Sequence, residues 1–461
     1  MKGSIMIKLK WVQQLIMKYD KVAVKTVLLL AFPVIIENIL QVLLGTTDTF
    51  FAGKINGNAI AGIGVTNLIM NIYIAFFTAV GVGATAIIAR SIGDRQVEKA
   101  RNALKQSIIL AVVMGVIVGI ISILFAEPLL IFLGAESEVL EYAMPYFIVV
   151  AIPCVFLCLS QILSSALRGA GDTKTPMLAS AIANVLNIIL NYVLIFGILN
   201  FEGIGIIGAG LATTISRIIA VVILLYKLNS GKSVLKFKLK GNWSIDKELM
   251  TSITRIGIPA GAEKLIMRLG QLLYGSMIIT LGTSSYIAHN IAGTIESYSY
   301  LPAMGFGMVA TTLVGQNLGA NNPEEAKKYA FISNTLSTIL MVIIGAGFFF
   351  GAPALAALFT QDIEVQGLVV TVLRIIALFQ PFLSLSMVMA SSLQGAGDTK
   401  FPMYSTLIGI WGIRVACGYL LAVIFKLGLV GIWIAYALDI TVRSILLLVR
   451  FMRGRWATIR I

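Results

Sequence analysis

Charge is scarce in this chain. Only 12% of its 461 residues are charged, 35 basic and 21 acidic, whereas an ordinary globular domain carries roughly 25%. So few ionic groups do not cover a water-soluble protein of this length, and that class is excluded. Histidine occurs once, at His289, and cysteine three times, at Cys154, Cys158 and Cys417, all three in apolar runs. Neither a disulfide framework nor a metal cluster is expected from that supply. Glycine is plentiful but has no three-residue period, which excludes a collagen-like fibre. No GxxxxGK[ST] segment occurs, so nucleotide hydrolysis does not drive the protein. No Ser/His/Asp grouping supports hydrolytic catalysis either, and an enzyme is not expected.

What is abundant is apolar residues, 58% of the chain, with a mean hydropathy of +0.94. This points to an all-α polytopic membrane protein. Twelve spans are legible, at 27–52, 59–89, 104–126, 140–165, 176–199, 204–226, 252–281, 285–315, 329–351, 367–391, 402–424 and 428–449. A basic amphipathic segment at 1–26, with Trp11 among its apolar residues, precedes them. It has no small-residue cleavage site of the signal-peptide kind. The basic stretch 227–251 divides the spans into lobes at 27–226 and 252–449, and a basic tail covers 450–461.

Charge placement orients the map. One set of loops carries Arg90, Arg95, Lys99, Arg101 and Lys105, then Arg168 and Lys174, the lysines of 227–247, Lys327, Lys328 and Lys400. The opposite loops hold only Lys54 and Lys426 as bases, among Glu127, Glu136, Glu138, Glu141, Glu202, Asp362 and Glu364. Bases concentrate on the cytoplasmic side, so both termini are expected there. The net charge of +14 is thereby read as membrane topology, with the lipid bilayer as partner and no nucleic acid.

The two halves repeat. GAGDTK at 169–174 returns at 395–400, an offset of 226 that also aligns Pro33 with Pro259, Glu37 with Glu263, Gly81 with Gly307 and Gly93 with Gly319. Six spans per half is an even number, so the repeats run parallel about an axis along the membrane normal. Two such bundles make a cleft and can rock about it, which favours a carrier over a channel or an anchor. Gly169, Gly171 and Asp172, with their counterparts Gly395, Gly397 and Asp398, read as turns and helix starts.

Charged or polar groups inside spans are costly and are functional candidates by default. Glu37, Gln41 and Asp48 share one face of span one, eleven residues end to end. The carboxylates suit a proton or Na⁺; the alternative is an ion pair that locks helices. Asn184, Asn187 and Asn191 share a face of span five, and Thr213 and Thr214 lie in span six. Amides and hydroxyls of this kind build a hydrogen-bond network or supply neutral oxygens to a hard cation, or else act as helix glue. Glu263, Lys264 and Arg268 in span seven are expected to form a salt bridge. Glu296 and Tyr300 stand one turn apart in span eight, with His289 and Asn290 near its outer end. Asp439 and Arg443 are an i,i+4 pair that neutralises itself.

Together FPVIIENILQVLLGTTDTFFAGKI at 32–55, ARSIGDRQVEKA at 89–100, LRGAGDTKTP at 167–176, LQGAGDTKFP at 393–402 and the long segment 290–320 resemble the multidrug and toxic compound extrusion (MATE) family, over nearly the whole chain. The resemblance is nearest to its prokaryotic, DNA-damage-inducible-like branch. It implies two six-helix lobes in a V and a multi-pass protein of the prokaryotic plasma membrane, expected as a monomer. It also implies export of organic cations and amphipathic drugs or metabolites in exchange for H⁺ or Na⁺, with no cofactor. In that branch the coupling residues fall on Asp48, Asn187 and Thr213, and the usual fifth-helix Asp is Asn191 here. Another branch places a Glu eight residues after the proline of span seven. Met267 stands there, with Glu263 one turn earlier, and Glu296 is the C-lobe acid that matches family members. A substrate cavity is thus expected around Gln41, Glu263, Met267, Glu296, Tyr300 and Arg414. The alternative is a flippase for an anionic envelope precursor, with Arg268, Arg374 and Arg414 in a basic cavity; a membrane scaffold is a third class.

Overall fold

Apolar runs this long satisfy their backbone in lipid only as helices, and helices are what form. The computed structural model describes residues 20–198, 201–231, 233–236, 243–459 and 461. The expected amphipathic segment lies outside the described residues up to position 19. The helices are α1 (Lys21–Ala52), α2 (Gly57–Gly93), α3 (Val97–Leu124), α4 (Ala126–Phe132), α5 (Ser137–Ala151), α6 (Cys154–Gly169), α7 (Lys174–Phe196) and α8 (Gly205–Asn229). They continue as α9 (Lys247–Ile279), α10 (Thr283–Gly319), α11 (Pro323–Phe359), α12 (Ile363–Gly395), α13 (Lys400–Ile424) and α14 (Gly428–Met452). A two-residue antiparallel pair, Gly197–Ile198 with Phe201–Glu202, joins α7 to α8.

Local chemistry sets where these helices begin. The side chains of Asp20, Asn56, Asp246, Asn322 and Asp362 each accept a backbone N–H of the first turn, satisfying donors the helix leaves free. The fourth span is two helices: α5 and α6 meet at a break beside Pro153 with a bend of 52°. The helices α9 and α10 are long, 33 and 37 residues, but carry the polar groups noted above. They complete twelve spans, six per lobe. Along α13 the hydrogen-bonding widens to π-helix at Ile408–Val415 and Leu420–Ile424.

The lobes meet at one end only. There α1 packs Ala23, Val27, Ala31 and Val34 against Phe306, Val309, Ala310 and Leu313 of α10. Gly257 and Gly261 of α9 lie against Ala79 of α2, so close that a Cβ on Gly257 would strike the Ala79 carbonyl. Thr312 donates to the Arg168 carbonyl at 3.0 Å and Gln316 Nε2 to the Gly169 carbonyl at 3.0 Å. Arg90 donates to the Ile459 carbonyl at 2.7 Å. All these residues lie toward the end that holds the GAGDTK turns and the start of α9. Among the described residues, no hydrogen bond or glycine contact between lobes involves residues 36–74 or 262–302. The lobes therefore diverge toward the opposite end, giving a V.

The repeat is physical as well as textual. Gly171 and Gly397 both adopt φ +89°, a left-handed turn that glycine takes without strain. Thr85 donates to the Ser165 carbonyl at 3.0 Å, and Thr311 to the Ser391 carbonyl at 2.8 Å, 226 positions on. The two aspartates of the turns diverge. Asp172 accepts the Thr175 N–H at 3.0 Å, whereas Asp398 pairs with Arg450 at 2.8 Å.

Candidate cation-coupling site

Asp48 is the centre of the N lobe's polar core. It is 1% exposed, although it stands near the diverging end of α1. Four side chains from three other spans donate to it. Tyr146 of α5 reaches Oδ2 at 2.9 Å, and the Thr213 hydroxyl of α8 donates to the same oxygen. Asn191 and Asn187 of α7 reach Oδ1 at 2.9 and 3.3 Å. Both amides are themselves tied in: Asn187 Nδ2 reaches Thr213 Oγ1 and Asn191 Nδ2 reaches Asn187 Oδ1, each at 3.1 Å. Asn191 Oδ1 is buried without a hydrogen-bond partner among the described residues.

A buried carboxylate held by neutral donors, with no ion-pair partner among the described residues, is an arrangement built around one negative charge. Oxygens of Asp48, Thr213 and Tyr146 converge there, with the amide groups of Asn187 and Asn191 facing them through nitrogen. They can hold a proton on Asp48 or, with hydroxyls and amides turned, surround a hard cation with oxygen ligands.

Several expected site residues fall elsewhere. Glu37, taken with Asp48 on face and spacing, lies about 16 Å away along the helix. It is buried and pairs with Arg168 at 2.7 Å, because the end of α6 brings that guanidinium to its level; Arg168 is thus no loop cation. Gln41 is exposed and donates to Glu37 at 3.4 Å. Asn184 caps the Ser180 carbonyl at 2.9 Å and does not join the cluster.

The C lobe holds a different polar core. Tyr436 donates to Glu296 at 2.5 Å. Arg414, on the π-helical stretch, lies 4.0 Å from the Tyr436 ring centre and pairs with Asp439 at 2.6 Å. Arg443 pairs with Asp439 as well, at 2.7 Å. His289 sits between the rings of Tyr274 and Trp433. Tyr300 is partly exposed, and Met267 lies part-buried on α9.

The salt bridge expected within span seven does not form. Glu263 instead accepts from Gln394 at 2.9 Å and Thr406 at 3.3 Å. Arg268 donates to Gln271 at 3.2 Å. The basic cavity of the flippase alternative loses two of its three members: Arg414 is neutralised by Asp439, and Arg374 is held at the carbonyl and ring of Phe349.

The sequence profile of the MatE family matches residues 33–193 and again 259–420. The chain belongs to the MatE family. It is 33% identical over 434 residues to a Thermotoga maritima protein described as probable multidrug resistance protein NorM, covering 94% of this chain and 93% of that one. It is 28% identical over 434 residues to the uncharacterized transporter YisQ of Bacillus subtilis, covering 93% and 94%. A MOP superfamily transporter from Pyrococcus furiosus, described as having reverse polarity of its binding pocket, superposes with TM-score 0.88 at 25% identity, covering 95% and 97%. An outward-facing multidrug resistance MATE family transporter superposes with TM-score 0.86 at 25% identity, covering 94% and 95%.

The two MatE repeats do not carry the same site. At the 226-residue offset Asp48 becomes Tyr274 and Thr213 becomes Asp439, so the acid moves from the first helix of the repeat to the sixth. Sequence reasoning missed Tyr146, because its span is bent and its face is unreadable from a single period. It also missed Tyr436, for which a signal existed: Tyr436, Asp439 and Arg443 lie on one helical face.

Proposed function

We propose that this MatE protein is a secondary active antiporter of the plasma membrane. It would export amphipathic drugs or metabolites, organic cations included, in exchange for H⁺ or Na⁺, acting as a monomer. The observation that carries this reading is the Asp48 cluster, a buried carboxylate held only by neutral donors from three other spans, inside one lobe of a parallel two-lobe repeat. The names of its relatives, multidrug resistance proteins among them, support the substrate class.

The coupling chemistry follows from the donors. Asp48 without its ion takes up all four donors and draws α1, α5, α7 and α8 together. A proton or Na⁺ on the carboxylate turns at least one hydroxyl, of Tyr146 or Thr213, from donor to acceptor. That change loosens the grip on the outer half of α1, which lines the divide between lobes. With both termini cytoplasmic, as the charge map supports, the cleft here opens outward. The lobes at 27–226 and 252–449 then exchange this arrangement for one open inward.

The test is transport by the purified protein in proteoliposomes, with H⁺ and Na⁺ gradients imposed separately and ethidium and a fluoroquinolone as substrates. Uptake driven by at least one gradient is expected. Movement indifferent to both removes the antiport reading.

A further inference from the structure

The five acids buried in the spans are all engaged within their own lobes. Asp48 is held by its four donors, Glu37 by Arg168, Glu263 by Gln394 and Thr406, Glu296 by Tyr436, and Asp439 by Arg414 and Arg443. Two bases on one face of α9 are not matched in this way. Lys264 and Arg268 of α9 have no acid partner among the described residues, and Arg268 is exposed and donates to the neutral Gln271.

Their direction follows from the helix. Gly257 and Gly261 press α9 against α2 at the closed end. At about 100° per residue, Lys264 and Arg268 fall within about 20° of the Gly257 direction, on either side of it. They therefore continue the interface stripe past the point where the lobes part, which places them on the cleft wall just above its floor. The same reasoning applied to α2 continues the Ala79 stripe through Ile72 and Leu68, which are 37% and 48% exposed. On α10 it continues the Gly305 stripe to Tyr298, 51% exposed. The α2 stripe is thus apolar, while the C-lobe wall carries two cations on α9 and an exposed tyrosine on α10.

An uncompensated base in the membrane is costly and faces water or a partner of opposite charge. Two on one face, with no free acid opposite, raise a positive potential across the cleft. We propose that the central cleft binds amphipathic molecules through an anionic group, a carboxylate or its equivalent, seated on Lys264 and Arg268 with the apolar body against α2. This names the substrate class for the transport reading above and rests on it only for the direction of movement. A purely cationic amphiphile meets two like charges on the C-lobe wall.

Rhodamine B and its ethyl ester test this, because they share one cationic ring system and differ in a single free carboxylate. Binding to the full-length protein in detergent is read by fluorescence anisotropy, and transport in proteoliposomes under the effective ion gradient. The acid is expected to bind at least tenfold more tightly than the ester. The double variant Lys264→Gln/Arg268→Gln is expected to bring the ratio to near one, while Arg268→Lys retains the preference and shows that charge, not shape, sets it. Should the double variant fail to fold, Arg268→Gln alone is expected to lower the ratio severalfold. Equal binding of the two dyes by the wild type, binding of neither, or a ratio unchanged in the glutamine variants overturns the proposal. Preferential binding without gradient-driven movement leaves it standing and removes the antiporter reading; gradient-driven movement of both dyes with equal affinity does the reverse.

Discussion

Glu37 and Glu263 occupy equivalent places 226 residues apart, yet Glu37 meets Arg168 at 2.7 Å where Glu263 meets Gln394 at 2.9 Å. The partners are themselves 226 apart. Each contact ties the first helix of its lobe to the fourth span. At this contact the N lobe uses a full charge pair and the C lobe a neutral amide donor. Breaking a buried pair from one side leaves an uncompensated charge and costs about 3–5 kcal/mol. Arg168→Met is therefore expected to lower the unfolding temperature of the purified protein sharply. Arg168→Gln, which copies the other lobe, should lower it less, and Glu37→Gln/Arg168→Gln should recover most of the loss. Thermal unfolding in one detergent decides it; equal losses in all three would show that charge compensation is not what the pair supplies.

Asp48→Asn removes the charge around which four donors are arranged, and it should abolish gradient-driven transport while the protein stays folded. Tyr146→Phe removes one donor to that carboxylate. A hydrogen bond to a charged group contributes about 1.5–3 kcal/mol, roughly ten- to hundredfold in affinity. The Tyr146→Phe protein should therefore need a coupling-ion concentration shifted by about that factor for half-maximal transport. Normal gradient dependence in Asp48→Asn would take Asp48 out of the coupling step.

The fold was legible because hydropathy and a repeat are properties of single segments. The site was legible only in part. Polar character inside the spans marks Asp48 and Thr213, helical spacing places Asn187 and Asn191 on one face, and the family resemblance groups Asp48, Asn187 and Thr213 as coupling residues. Spacing also places Glu37 with Asp48, and this fails because one face extends about 16 Å between them, past the reach of any side chain. Neighbours in sequence made Glu263, Lys264 and Arg268 look like a salt bridge. Their actual surroundings are set by α12, α13 and the opposite lobe, which no local pattern reports. Tyr146 and Arg168 reach α1 from a bent span, and a bend resets the helical phase.

Asn191 gives a gain-of-function test. Its Nδ2 donates to Asp48 at 2.9 Å, where the resemblance implies a second carboxylate in related proteins. Hard cations favour sites richer in anionic oxygen. Asn191→Asp is expected to strengthen Na⁺-driven transport relative to H⁺-driven transport. The ratio of initial rates under the two separately imposed gradients measures this, and an unchanged ratio would argue that Na⁺ does not enter this cluster.

In the C lobe, Glu296 is held by Tyr436 at 2.5 Å, and Arg414 lies over the same ring. A carboxylate supported by one hydroxyl and a nearby guanidinium suits positioning of the π-helical α13 better than ion exchange. Tyr436→Phe should then weaken thermal stability by about 1–3 kcal/mol and leave the choice of driving ion unchanged. A switch in driving ion on this substitution would assign Glu296 a coupling role instead.

The closed end of the V depends on a close approach that only glycine permits. A Cβ at Gly257 would strike the carbonyl of Ala79, whereas one at Gly275 on the same helix meets nothing within 4 Å. A side chain at 257 therefore disfavours the arrangement in which the lobes touch there, and one at 275 does not. If the cleft alternates, Gly257→Val should shift the population toward the arrangement that is open at the linker end and closed at the other. Spin labels at Lys54→Cys and Lys426→Cys, in a background lacking the three native cysteines, report the separation of the lobes at the diverging end by pulsed dipolar spectroscopy. Gly257→Val is expected to shorten that distance distribution and to slow export severalfold, with Gly275→Val as the silent control. An unchanged distribution in Gly257→Val would mean that this contact follows the lobe arrangement and does not set it.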